Sequence, residues 1–477
     1  MIAKMKAKEN KKLIFFSIYI FILLSLLGCS KKEALFTENI ILSKEDLLKL
    51  RNPFQISDED ITDFIDINQT MEKLIKVTEG ISYDIEYDRY RMISKKDAEE
   101  DIDIYFQTLK DCYAGYLPNG GDKRFQIAKN AIEADLKDEI MTRELEEIIK
   151  SHMSFVEDSH FKVGDDFTSN KWYKIDNIDI GKNNKGYFNL SNGKYIENIH
   201  EIDSLLKPSL LKEQTLCYQI FSQSESELPR KLIYDDGTFE ELKSKTISSK
   251  HDNDGVIFKE FGKVPYLKFS QFYFPNEVSK VNKILDAVDK MSREDCSILD
   301  LRGNPGGNGT LVGQWVQRYT GETAIYSSDT ILNLNSEIFK ISNNGQTWEE
   351  FVEYNKIEIY DENHVIQKHS DKMINKDGLL IVLTDSSSAS AAELLVDALH
   401  HVSNTVFIGM PTKGCISSSR SITIPMKNSR IAFQFGNMWN IFHKDYFQEN
   451  RGFLPDIWVD DIDVEQLAKL LDSYDFD

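Results

Sequence analysis

Residues 378–399 constrain the fold more than any other stretch of the chain. Leu379-Leu-Ile-Val-Leu-Thr384 is an apolar, β-branched strand. It enters a serine-rich turn, Asp385-Ser-Ser-Ser-Ala-Ser390, and leaves it as a helix with Leu395, Leu399 and Val402 on one face. Cys296-Ser-Ile-Leu-Asp300-Leu301 behaves in the same way, emptying through Arg302-Gly-Asn-Pro-Gly306-Gly307-Asn-Gly309 toward a helix that starts near Leu311. Strands are predicted at 266–269, 297–301, 379–384 and 406–409, alternating with helices from Pro265 to the end. That alternation is the pattern of an α/β core.

Upstream, residues 94–156 read as helix. Phe125, Ala128, Ile132, Leu136 and Ile140 recur at spacings of three and four, the stripe of an amphipathic helix. Leu145, Ile148, Ile149, Met153 and Val156 carry the rhythm into Glu157-Asp158-Ser159-His160. The expectation is a helical domain, 94–164, whose last helix delivers Ser159 and His160 at its end. From 165 to 258 the texture changes to short strand-like runs with turn signals at Asn192-Gly193, Asp235-Asp236-Gly237 and Asp254-Gly255, as in a small β-rich domain. The α/β domain then fills 259–477. Its rhythm is interrupted by a polar stretch, 326–377, expected to be a decorated hairpin or a flap.

The N-terminal end has an export layout. Five lysines between Lys4 and Lys12 precede an apolar run to Leu27, followed by Gly28-Cys29-Ser30-Lys31-Lys32. At about 15 residues the run falls short of the roughly 20 that span a bilayer as a helix, so 1–28 reads as a signal peptide. Leu26-Leu27-Gly28-Cys29 resembles the bacterial lipobox, which implies lipidation at Cys29, a tether over 29–93 and an extracytoplasmic, membrane-anchored body. The formal charge of the whole chain is −21, which disfavours nucleic acid as a partner. Cys112, Cys217, Cys296 and Cys415 show no CxxC spacing, so a zinc site is not expected.

A serine at a strand-to-helix junction sits where free N–H groups and the helix dipole favour developing negative charge, and the N–H of the next residue, Ala391, can donate to an oxyanion. The same position suits a helix-capping serine. The glycine loop lacks the Gly-Lys-Ser/Thr of a Walker motif, and its glycines permit close approach of the backbone to a ligand.

Together these two segments resemble the C-terminal processing peptidase family, whose hallmarks are an LDLRxNxGG loop and an SASAxE turn. The resemblance implies a crotonase/Clp-protease-like α/β core with Ser390 as nucleophile. It implies an oxyanion hole from the Gly306-Gly307 and Ala391 backbone. One branch of the family uses a Ser–Lys dyad within Gly-x-Pro-Thr-x-Gly-Lys. Here that motif reads Gly409-Met-Pro411-Thr412-Lys413-Gly414-Cys415, with cysteine in the base position and Lys413 two residues early. The other branch, tricorn-core and retinoid-binding-protein-like, uses a Ser–His–Ser–Glu tetrad. Ser159-His160 and Glu449, in Glu449-Asn-Arg-Gly-Phe-Leu-Pro-Asp456, fill its remaining positions. Imidazole takes a proton near neutral pH, and Glu449, relayed by Ser159, would orient the ring.

The implied activity is hydrolysis of peptides or proteins through an acyl-enzyme, with no metal or cofactor. Glu393 is expected to complement the helix dipole. His152, His400 and His401 have no evident partner and are expected to be structural or exposed. Tyr113-Ala-Gly-Tyr116 resembles N-terminal segments of the family without an assigned role. The β-rich region takes the place of the family's PDZ domain but lacks a Gly-Leu-Gly-Phe-type loop. The alternatives are a non-catalytic ligand-binding lipoprotein on the same fold, or an esterase or transpeptidase sharing the nucleophile.

Overall fold

The computed structural model describes residues 43–51, 88–164, 171–211, 215–248, 255–332 and 365–474. The expected signal, Cys29, most of the tether, Asp254 and residues 333–364 of the polar stretch lie outside them. The described flanks of that stretch, Asp329–Leu332 and Val365–Gln367, pair antiparallel.

Among the described residues, 172–246 with 43–46 form one compact unit, and the others form a second. In the first unit, Leu216–Ser222 pairs antiparallel with Trp172–Ile175, Ile180–Asn183 and Leu206–Leu210. Ile180, Ile220 and Leu232 are buried there without exposure. Two of the three expected turn signals lie in this unit, with Gly193 and Gly237 at φ 74° and 76°.

The second unit opens with α1 (Lys95–Cys112), α2 (Gly121–Asp135) and α3 (Thr142–His152). Ser94 caps α1 by accepting the Asp97 N–H. The stripe expected as one helix over 125–140 is broken. Leu136 turns extended at the end of α2, and Ile140 sits on the strand Glu139–Met141, paired with Ile93 of Met92–Ser94. All five stripe residues are nevertheless buried. The periodicity reported burial on one side, which a turn and a short strand sustain as well as a helix. Likewise α3 stops at His152, and Ser159 and His160 occupy a turn beyond it.

The chain then builds β1 (Val256–Phe261), β2 (Val264–Phe269), α4 (Val278–Met291), β3 (Cys296–Asp300), α5 (Thr310–Thr320), β4 (Leu379–Thr384), α6 (Ala391–His400) and β5 (Thr405–Gly409). After these come β6 (Ser418–Pro425), β7 (Ala432–Ile441), β8 (Ile457–Trp458) and α7 (Val464–Asp472). The central sheet runs β1-β2-β3-β4-β5-β8, with β1 antiparallel and the rest parallel. Its register aligns Tyr266 with Ile298, Ile298 with Ile381, and Ile381 with Val406. Every residue of β3, β4 and β5 is buried, as expected for strands covered on both faces. Trp315, Val316, Leu395 and Leu399 from α5 and α6 pack over Leu299, Leu380 and Val382. Each such side chain contributes about 1.5–3 kcal/mol when fully buried.

A second sheet positions the site. β6 and β7 pair antiparallel, and the strand Lys162–Val163 adds to β7 through Phe433–Val163 and Gln434–Lys162. The helices 95–152 have no core of their own. Ile102, Tyr105, Leu109 and Ile149 share one with Ile422, Ile424, Phe433 and Phe435 of β6 and β7.

Candidate active site

Ser390 stands between β4 and α6 with φ 53° and ψ −116°, a conformation costly for a side chain other than glycine. The turn before it is held from both ends. Ser388 Oγ donates to the Leu301 carbonyl at 2.9 Å, and the Ala389 N–H donates to the Asn304 carbonyl at 2.9 Å. Ser388 is fully buried and serves the turn, whereas Ser390 is only partly buried. The glycine loop lies directly beneath. A Cβ on Gly306 would stand 2.5 Å from Ala389 O, 2.7 Å from Ala391 N and 2.8 Å from Ser390 Cβ, so only glycine fits. The Gly306 N–H is taken by Asn304 Oδ1 at 2.9 Å, which corrects its expected role as an oxyanion donor. The N–H groups of Gly307 and Ala391 have no acceptor among the described residues. The Ala391 N–H, at the N-terminal end of α6, and that of Gly307, next in the chain after the Gly306 that packs on Ser390, are the groups suited to an oxyanion.

His160 is held by its main chain. Its N–H donates to Asp158 Oδ1 at 2.8 Å, and Gln434 Nε2 donates to its carbonyl at 2.8 Å. Asp158 is buried and also accepts from Tyr113 OH (2.8 Å) and Ser418 Oγ (2.8 Å). Tyr113 in turn accepts from Asn119 Nδ2 at 3.2 Å, and this gives the Tyr113–Tyr116 segment a structural role. The imidazole lies against Cys415, with Sγ 3.6 Å from Nδ1 and 3.7 Å from Nε2. A Ser390–His160 hydrogen bond is not among the contacts of the described residues.

The expected relay differs too. Glu449 Oε1 accepts the Ser159 main-chain N–H at 2.8 Å and Oε2 the Ser417 N–H at 3.0 Å. The Ser159 hydroxyl reaches the Gly414 carbonyl and Asn450 Oδ1, each at 3.0 Å. Glu449 therefore braces the main chain beside the histidine, and the Ser159 hydroxyl does not bridge it to the ring.

Burial, the largest cause, holds the His160 imidazole below its ordinary range; Asp158 opposes this, and Lys162 and Lys413 reinforce it. The ring is therefore neutral near pH 7 and able to accept a proton. Burial pushes the Cys415 thiol well above its ordinary range, and the Glu449 and Glu393 charges push the same way. Thiol and imidazole face each other uncharged, so Cys415 is not a thiolate nucleophile. Burial, then the charge of Asp158, raises the Glu449 carboxyl.

Three residues carry more than the sequence indicated. Asn304 braces Phe269, Gly306 and Ala389 at once and is fully buried. Asp158 is the hub behind His160. Glu393 is buried and accepts hydrogen bonds from loop 412–415, so complementing the helix dipole is not its whole part. Their signal was position alone, inside the loop, beside the histidine and three residues after the serine. The other histidines do have partners: His152 with Asp135 (2.7 Å), His401 with Ser327 Oγ (2.8 Å), and His400 stacked on Phe407 (4.0 Å). Cys112, Cys217, Cys296 and Cys415 are not in disulfides. Among the described residues no group of His, Cys, Asp and Glu could hold a metal ion.

Residues 263–459 match the family model described as Peptidase family S41. None of the curated proteins matches the chain. Solved structures similar to it include mature CPAF, at 12% identity over 79% of this chain and 96% of that one, TM-score 0.42. The photosystem II D1 C-terminal processing protease is 10% identical over 79% and 97%, TM-score 0.39. A lipoprotein from Streptococcus agalactiae is 12% identical over 78% and 94%, TM-score 0.38.

Proposed function

We infer, from a chain whose residues 263–459 belong to peptidase family S41, that this serine-type peptidase acts through an acyl-enzyme on Ser390 with His160 as its base. Ser390 Oγ attacks the scissile carbonyl, and His160 takes its proton. The carbonyl oxygen, now negative, receives the Gly307 and Ala391 N–H groups. His160 returns the proton to the leaving amine, and water then repeats the sequence on the ester. The observation that carries this reading is the strained Ser390, with Gly306 packed against it and the Ala391 N–H next in the chain left without an acceptor among the described residues. Glu449 and Ser159 support the base by holding the main chain around it. The neutral thiol at the place of the family's lysine argues against a dyad in that register.

Substrate binding must bring the His160 ring from Cys415 to Ser390, as catalytic hydrogen bonds often tighten only in the complex. The separation in the free protein is also what a ligand-binding member without catalysis would show. Hydrolysis of an unstructured peptide decides between them. Ser390→Ala and His160→Ala are expected to remove turnover, and Lys413→Ala to keep most of it. Turnover surviving in His160→Ala but lost in Lys413→Ala would move the base to the lysine.

The basic and apolar N-terminal stretch ending at Cys29 supports an envelope lipoprotein. No helix among the described residues is long and apolar enough to cross a membrane. The full chain is expected in the membrane fraction and Cys29→Ser in the soluble one; equal fractionation of the two would reject the lipid anchor.

A further inference from the structure

We propose that Glu393 is a positioning residue for the reaction: its carboxylate ties the main chain of the nucleophile to the loop that faces the base, and so sets how Ser390 and His160 meet. This rests on Ser390 being the nucleophile. Glu393 is 0% exposed. Its Oε1 accepts from Thr412 Oγ1 at 2.6 Å and Gly414 N at 2.7 Å; its Oε2 accepts from Ser390 N at 3.0 Å and Cys415 N at 2.8 Å.

Four donors meet a group with about four lone-pair positions. Burial raises the Glu393 carboxyl and these four hydrogen bonds oppose it; a proton on either oxygen would have to displace one of them, so the contacts fit the ionised form. A buried charge is tolerated only when it is satisfied in this way. An acid serving the helix dipole alone would need only donors from the first turn. Here three of the four come from loop 412–415, outside α6.

The fourth donor is the N–H of Ser390 itself, the residue held at φ 53°. Such a conformation persists only where its surroundings over-determine it. At the far end of the same loop, the Cys415 thiol rests on the His160 ring. Thr412 extends the strut, since its hydroxyl also accepts the Phe453 N–H at 2.8 Å. One carboxylate thus spans the nucleophile and the wall against which the base lies.

The test compares wild type, Glu393→Gln and Thr412→Val as full chains in detergent, each below its melting temperature. Steady-state hydrolysis of a peptide is read beside the rate of fluorophosphonate labelling. Glu393→Gln turns an amide NH2 toward N–H donors, and it is expected to lower kcat and the labelling rate by about 10- to 100-fold, with KM within about twofold. Loss confined to the melting temperature, with kcat unchanged in the folded variant, overturns the proposal. If Glu393→Gln does not fold, Thr412→Val removes one of the four donors, together with the acceptor of the Phe453 N–H. A several-fold fall in its kcat at constant KM supports the strut, and a wild-type kcat overturns it. Wild type left unlabelled at Ser390 would overturn the nucleophile assignment and this proposal together. An equally fast Glu393→Gln beside a labelled wild type overturns this proposal alone.

Discussion

His160 is kept neutral by its surroundings, and the sign of that effect reaches the pH profile. Burial and two nearby lysines make the protonated ring less stable, so the free base persists below the ordinary histidine value of about 6.5. The acid limb of kcat/KM is therefore expected to have its midpoint below about pH 6.5, measured on wild type with a neutral peptide. A midpoint well above neutrality would point to a base of lysine type. At this scale the sequence was informative through motifs rather than single residues. Ser390 and His160 stood out because the segments carrying them jointly resemble the peptidase family; alone, each position suits a helix cap as well. Glu449 was recognisable as an acid of the site, but which group it holds depends on a main-chain contact between residues 290 positions apart. Side-chain identity does not encode such a contact.

The strands of the central sheet and the turns after them were legible for two reasons. Burial on both faces leaves an unbroken apolar run, and glycines clustered at a strand's end mark a tight connection or a close approach of the backbone. Gly306 shows how tightly those turns are built. It has φ 96°, and the three atoms nearest to a Cβ there belong to the nucleophile turn, two of them backbone. Gly306→Ala is expected to cost about 1–3 kcal/mol of stability and to abolish turnover. Melting temperature and peptide hydrolysis measured together check this; an active, fully stable variant would mean the two turns do not depend on each other. The elements that periodicity misjudged are those in which burial passes from one kind of structure to another. The 125–140 stripe continues through the end of α2 and the strand at Glu139–Met141 because both turn their apolar side into the core that the helices share with β6 and β7.

Across the whole molecule, the helices before the histidine and the sheet after the cysteine loop share one core, which a reading by consecutive segments could not reveal. Phe433 joins them: it is buried, meets Tyr105 edge-on at 4.9 Å between centroids, and pairs with Val163, three residues after His160. Phe433→Ala is expected to lose about 3–5 kcal/mol of stability and to lower activity below the folded fraction, measured by thermal unfolding beside hydrolysis. Activity that tracks the folded fraction alone would show that the histidine does not depend on this strand. The central claim is that this architecture activates one serine through one histidine. Intact-mass labelling of the full chain with a fluorophosphonate tests it most directly, on wild type, Ser390→Ala, His160→Ala and Lys413→Ala. One adduct on wild type and Lys413→Ala, absent from the other two, is the predicted result. An adduct that survives His160→Ala, or appears on Ser390→Ala, would contradict it.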